Sequence, residues 1–113
     1  LMKDGMSYQA YFRKVQELYA KEGCQEEWKM HHQGGPTGYG CREFTVTPET
    51  KGVIKKNQAY AWNPTIAGTK CEETTFLTDK GVEIFTRTKA WPYTVIETEY
   101  GSCSVADILY INI

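Results

Sequence analysis

Tyr8, Tyr11, Phe12, Val15, Leu18 and Tyr19 recur at i, i+3, i+4, i+7, i+10 and i+11, one stripe of a single amphipathic helix. Ser7 is placed to cap its start, and Gly23, after Lys21, stands where a left-handed residue ends a helix. Gln9, Arg13, Lys14, Gln16 and Glu17 form its solvated face. After Gly23 the helical period stops. "REFTVTP" alternates as a strand, and Pro48, Glu49 and Thr50 begin a turn. "NQAYAWNP" runs into a turn at Asn63-Pro64, and "AGTKCEETTFLT" reads as one long strand. "DKG" at 79–81 is a hairpin turn into "VEIFT", and two β-rich segments, Thr94–Thr98 and Val105–Ile111, follow. The pattern predicts an α+β fold: one amphipathic helix plus mostly antiparallel sheet, with residues 88–113 as a β-rich tail. One helix covers only part of one sheet face, so apolar surface is expected to stay exposed, for a missing part of the chain or for a homodimer.

Composition narrows the function classes. The 113 residues suffice for one small domain, and 41% hydrophobic with 13% aromatic residues is the make-up of a packed core. A net charge of -1 gives no basic footprint for nucleic acid or an anionic membrane. No apolar run approaches the roughly 20 residues of a membrane helix. The opening "LMKDGMSYQ" has no signal-peptide core and no initiator methionine, and it reads as the edge of a piece of a longer protein. Cys24, Cys41, Cys71 and Cys103 lie 17, 30 and 32 residues apart, without the close pair most structural zinc sites use. They are expected to be free thiols, which points to a cytoplasmic protein; two disulfides in a periplasmic one are the alternative.

The chemistry concentrates in "MHHQGGPTGYGCRE", Met30 to Glu43, which holds both histidines. Neighbours on a strand point to opposite faces, so His31 and His32 are not expected to chelate one ion together. Any metal ligand among them needs partners from elsewhere: a cysteine, Glu43, or the pair Glu72-Glu73. "GGPTGYG" lacks the Lys-Ser/Thr that follows a phosphate loop, and such glycines more often mark bulges or close approaches in a sheet. Of Glu72 and Glu73 only one can face inward, and Lys70 is the natural ion-pair partner.

Laid end to end, these segments resemble the C-terminal part of the catalytic domain of the pita-bread metallopeptidases, the family of methionine aminopeptidase, prolidase, aminopeptidase P and creatinase. Its prolidase-like members carry Pro-His-x-x-Gly-His-x-x-Gly-x-x-x-His-Glu. Met30 to Glu43 lies on that motif without a gap, matching at His31, Gly34, Gly38 and Glu43. "NQAYAWNPT" (57–65) follows Gly-Met-x-Phe-x-x-Glu-Pro-Gly through Tyr60 and Pro64, and "KCEETTFLTDKGVEIFT" (70–86) follows the Arg-x-Glu-Asp strand and its turn. The likeness covers about residues 3 to 86 and implies a hydrolase acting on peptides or small amides, an aminopeptidase or Xaa-Pro dipeptidase.

The departures from the motif bear on the metal. The family holds two divalent ions (Mn, Zn or Co) through two aspartates, one histidine and two glutamates. The aspartates would lie before Leu1, the ligand histidine falls on Gly35, and the first glutamate falls on Asn63. The histidine that handles protons falls on Arg42. Glu72 survives as the second glutamate. A three-residue slip would let His32 serve as a ligand, at the cost of the matches at His31, Gly38 and Glu43, with Tyr39 at the second histidine. By this resemblance His31 and Arg42 are the candidate catalytic residues; His31, Tyr39 and Glu43 the candidate substrate contacts; and Glu72 and His32 the candidate metal ligands. Glycine offers a metal nothing and asparagine a single neutral oxygen, and Arg42 adds repulsion. The resemblance thus implies either a divergent peptidase with an altered site, or a metal-free creatinase-like enzyme or peptide-binding relative in which His31 acts as general acid/base. No metal is expected to bind to these residues alone, and the remainder of the catalytic domain is the implied partner.

Overall fold

The structure, a computed structural model, describes residues 1–113. Its order is a helix α1 (Tyr8–Lys21), then β1 (Gly34–Thr37), β2 (Gln58–Trp62), β3 (Thr65–Ile66), β4 (Thr69–Lys70), β5 (Glu73–Thr78), β6 (Gly81–Ile84), β7 (Tyr93–Thr98) and β8 (Gly101–Ala106). α1 begins and ends as the sequence dictates. The Ser7 hydroxyl accepts from the Ala10 N–H at 3.1 Å, and Gly23 follows the helix with φ +76°. β1, β2, β5 and β6 make one antiparallel sheet in the order β1-β2-β5-β6, while β3-β4 and β7-β8 are separate two-stranded hairpins. No helix is long and apolar enough to cross a membrane.

The core lies between α1 and one face of the four-stranded sheet. Tyr8, Tyr11, Phe12, Val15 and Tyr19 are buried from the helix, and Tyr60 and Leu77 from the sheet; Val46 and Ile54 from the connecting loop complete it. Tyr11 packs on Trp62 at 4.5 Å between ring centroids, and Phe12 meets Trp28 edge-on at 5.4 Å. Aromatic pairs in these geometries add to the burial term that holds such a small core together. Strand alternation then turns Ala59 and Ala61 away from the helix. Gly35 and Thr74, which stand across from Ala61, share that second face.

Four expectations need correction. "REFTVTP" forms no strand; residues 43–46 instead run irregularly along the outer edge of β1. There Glu43 N–H donates to Pro36 O at 3.0 Å and Val46 N–H to Gly34 O at 2.8 Å, which ties the segment to β1 without a regular ladder. The long strand over 67–78 is broken into β4 and β5, because Cys71 N–H turns back to Pro64 O at 3.2 Å and closes the β3-β4 hairpin. The last strand lies earlier than expected, at Gly101–Ala106, because it must register with β7 through a turn at Glu99-Tyr100; Thr98 pairs with Gly101. His31 and His32 precede β1 in a bend, so they do not alternate across a sheet, and their rings lie 4.3 Å apart.

As expected, apolar surface is left uncovered. Phe85, Val95, Ile96 and Ile108 are all exposed, and every buried hydrophobic residue lies between Tyr8 and Leu77.

Candidate functional site

The end of the sheet where β2 leaves β1 and β5 gathers the residues of interest. One residue beyond the paired Trp62 and Glu73, Asn63 stands beside Glu72, and on its other side its N–H donates to Gln33 O at 3.0 Å. Gln33 is buried and fixes this corner. Its amide NH₂ donates to Trp28 O at 3.1 Å and to His31 O at 2.9 Å, while its carbonyl oxygen accepts from the Tyr19 hydroxyl at 3.0 Å. The helix therefore holds the histidine segment through one tyrosine. Nothing in the sequence marked Gln33; its only signal was a polar residue between histidines and glycines.

Arg42 lies between the two candidate metal ligands. Its Nη1 is 3.4 Å from both ring nitrogens of His32, and its Nη2 is 4.0 Å from Glu72 Oε1. An atom equidistant from both ring nitrogens is on the axis of neither lone pair, so the guanidinium lies against the imidazole without a directed hydrogen bond. Lys70 Nζ pairs with the other Glu72 oxygen, Oε2, at 3.0 Å, the ion pair expected from the sequence. Burial, then the neighbouring His31, Arg42 and Lys70, hold the His32 imidazole below its ordinary pKa and favour the neutral ring. Two cations here face one carboxylate, so the cluster keeps a net positive charge.

Two buried polar atoms at this end have no hydrogen-bond partner: Arg42 Nε and Asn63 Oδ1. Asn63 is only 3% exposed, and its backbone is fully engaged, with its carbonyl accepting from the Thr65 hydroxyl at 3.1 Å. A buried acceptor left empty costs about 1–3 kcal/mol, and such atoms in a native fold call for an explanation.

His31 sits beside this cluster. Its Nδ1 lies 2.7 Å from His32 O, and since a carbonyl only accepts, Nδ1 carries the proton. In the neutral ring Nε2 is then the free base. His31 and His32 line a small cavity of about 260 Å³ with Phe12, Trp28 and Val46. Tyr39 and Glu43 are not brought into the cluster. Tyr39 is fully exposed on the turn after β1, and the Glu43 carboxylate lies against Gly38.

The fit to a two-metal centre can be tested on the residues themselves. A Cβ on Gly35 would run into the carbonyl oxygen of Phe44, so the backbone at 43–46 fills the space where a ligand side chain would leave β1. Asn63 is neutral, and the guanidinium of Arg42 stands where an ion shared by His32 and Glu72 would sit. No three His, Cys, Asp or Glu side chains converge as a metal-holding group. The residues present do not fit the family's pair of ions.

A second cavity, of about 410 Å³, opens next to the cluster between the C-terminal end of α1 and the β3-β4 hairpin. Lys70 and Glu22 line it, as do Leu18, Tyr19, Ile66 and Cys71. All four cysteines are free thiols, and burial pushes the Cys71 thiol above its ordinary pKa, followed in weight by Glu73 and Cys103. No protein-family model, no curated protein and no solved structure matches this chain.

Proposed function

We propose that this chain is the C-terminal part of a pita-bread-type domain, related to the aminopeptidases and Xaa-Pro dipeptidases, in which Arg42 has replaced the metals. On this reading the site binds a peptide or small amide. The observation that carries it is the guanidinium of Arg42 lying between His32 and Glu72, the two side chains at candidate ligand positions. The blocked Gly35 position and the neutral, buried Asn63 support it independently. Arg42 Nε and Asn63 Oδ1 remain a donor and an acceptor without partners beside this cluster. His31 Nε2 is the available proton acceptor if the site also turns its ligand over, as in a creatinase-like reaction. A cytoplasmic setting, where the free thiols stay reduced, goes with this reading.

The alternative is a divergent peptidase with an ion on His32 and Glu72. Metal content measured by mass spectrometry after manganese and zinc loading separates the two. The expected result is far less than one equivalent in the wild type and in Glu72→Ala alike. One or more equivalents in the wild type, lost in Glu72→Ala, would overturn the metal-free reading.

A further inference from the structure

β7 and β8 pair with each other and with no other strand, and a two-stranded sheet alone is marginally stable in water. Asp107 N–H donates to Pro92 O at 3.0 Å across the open end of the hairpin, which fixes the phase of its ladder. Bonded and non-bonded pairs alternate along antiparallel strands. Thr94–Val105, Ile96–Cys103 and Thr98–Gly101 are therefore the bonded pairs. The backbone N–H and C=O groups of Tyr93, Val95 and Glu97 point the other way, out of the free edge of β7, and no other segment of the chain bonds to them. The remaining sheet edges are protected. Arg87 donates to Ser104 O on the outer edge of β8, and residues 43–46 lie along β1. β3, β4 and β6 are only two, two and four residues long, and short strands make poor templates. β7 runs for six residues, is exposed from Thr94 to Thr98, and carries no lysine or proline to block pairing.

We propose that β7 is an interface between two copies of this chain, paired antiparallel and edge to edge across a twofold axis at Val95. The inference uses none of the site residues above and stands apart from the peptide-binding reading. The order of residues in the strand selects a second copy as the occupant. With Tyr93, Val95 and Glu97 facing outward, the antiparallel register that overlaps this whole edge puts Val95 opposite the partner's Val95. Tyr93 then stands opposite the partner's Glu97. Glu97 is the only charged residue of β7, so no like charges meet, and like charges directly opposite are what would oppose such pairing. Thr94 stands opposite the partner's Ile96 on the other face. Val95, at 63% exposure, and Ile96, at 47%, thus gain cover from one contact. The four-stranded product, in the order β8-β7-β7-β8, passes the three strands that an independently stable sheet needs. A twofold contact also uses up both β7 edges, and the new outer edges are the β8 strands that Arg87 covers.

The test is sedimentation equilibrium of the whole chain across the micromolar range, where a monomer–dimer equilibrium is expected. Val95→Lys sets two ammonium groups face to face at an exposed position. It is expected to weaken the dimer at least about tenfold while circular dichroism stays unchanged. Val95→Cys probes the register. Opposed Cα atoms of a bonded pair lie about 5.5 Å apart, inside the roughly 4.4–6.8 Å span of a disulfide. With glutathione disulfide as oxidant, Val95→Cys is expected to give a covalent dimer on a non-reducing gel. Thr94→Cys and the wild type, with its native thiols, are expected to give none. A wild type that stays monomeric throughout would overturn the proposal. So would a dimer that Val95→Lys leaves unweakened and Val95→Cys does not trap, since its interface would lie elsewhere. Cross-linking of Thr94→Cys as fast as Val95→Cys would overturn the axis at Val95.

Discussion

Tyr60 and Asn63 are three residues apart around one strand, and both are almost fully buried, yet they are treated in opposite ways. The Tyr60 hydroxyl accepts from Lys55 N–H at 2.7 Å and has the Lys55 backbone carbonyl at 3.1 Å and the Gln58 side-chain oxygen at 3.2 Å to donate to. Asn63 Oδ1 has no partner. Around Tyr60 the chain behaves as a folded core does, closing every hydrogen bond under an aromatic layer. Around Asn63 it leaves a polar atom empty beside a cluster of mixed charge. One strand thus runs from the part of the molecule that holds the fold to the part that is built for something else.

That contrast is open to direct attack. The largest effect belongs to the core. Phe12→Ala empties a site at 3% exposure against Trp28 and is expected to cost about 3–5 kcal/mol in urea denaturation. A much smaller loss would mean that the helix is not what holds the sheet. Tyr60→Phe should cost about 1–3 kcal/mol, because Lys55 N–H loses its acceptor. Asn63→Ala removes a buried acceptor that is bonded to nothing, so the variant is expected to be no less stable than the wild type and to gain up to about 1–3 kcal/mol. If Asn63→Ala proved as damaging as Tyr60→Phe, the two ends of the strand would not differ as described, and Asn63 would be structural.

The smallest effect concerns pH. His32 has its folded pKa below the ordinary 6.5, so the unfolded chain takes up the proton first. Stability from this group is therefore complete above pH 6.5 and declines as pH falls from there through its depressed folded value. NMR titration of the His32 ring should place its midpoint below 6.5, and Arg42→Met, which removes one of the contributing charges, should move it upward. A midpoint at or above 6.5 would put His32 outside the cationic cluster.

The sequence spoke clearly where a local rule decided the outcome. The stripe from Tyr8 to Tyr19, the Ser7 cap, Gly23 and the 79–81 turn needed only periodicity and turn chemistry, and each stands where expected. It was silent or misleading where distant segments decide. Residues 43–46 alternate like a strand but are tied irregularly to the edge of β1, and 67–78 is cut in two by a hairpin bond from Cys71 to Pro64. The site divides the same way. His32, Arg42 and Glu72 were legible as residue types at family spacing, and the Lys70–Glu72 pair was legible from proximity. That Arg42 lies between His32 and Glu72, that Gln33 anchors the corner through Tyr19, and that an apolar cavity adjoins Lys70 all depend on β2 bringing residues 33, 63 and 72 side by side.

Zinc titration of Arg42→Ala beside the wild type, followed calorimetrically, tests most directly whether Arg42 stands in for a metal. Removing the guanidinium leaves His32 and Glu72 facing a vacated space, a neutral nitrogen and a carboxylate oxygen of the kind zinc accepts. The expected result is one zinc bound by the variant and none by the wild type over the same concentration range. Zinc binding of equal strength in both proteins would contradict it.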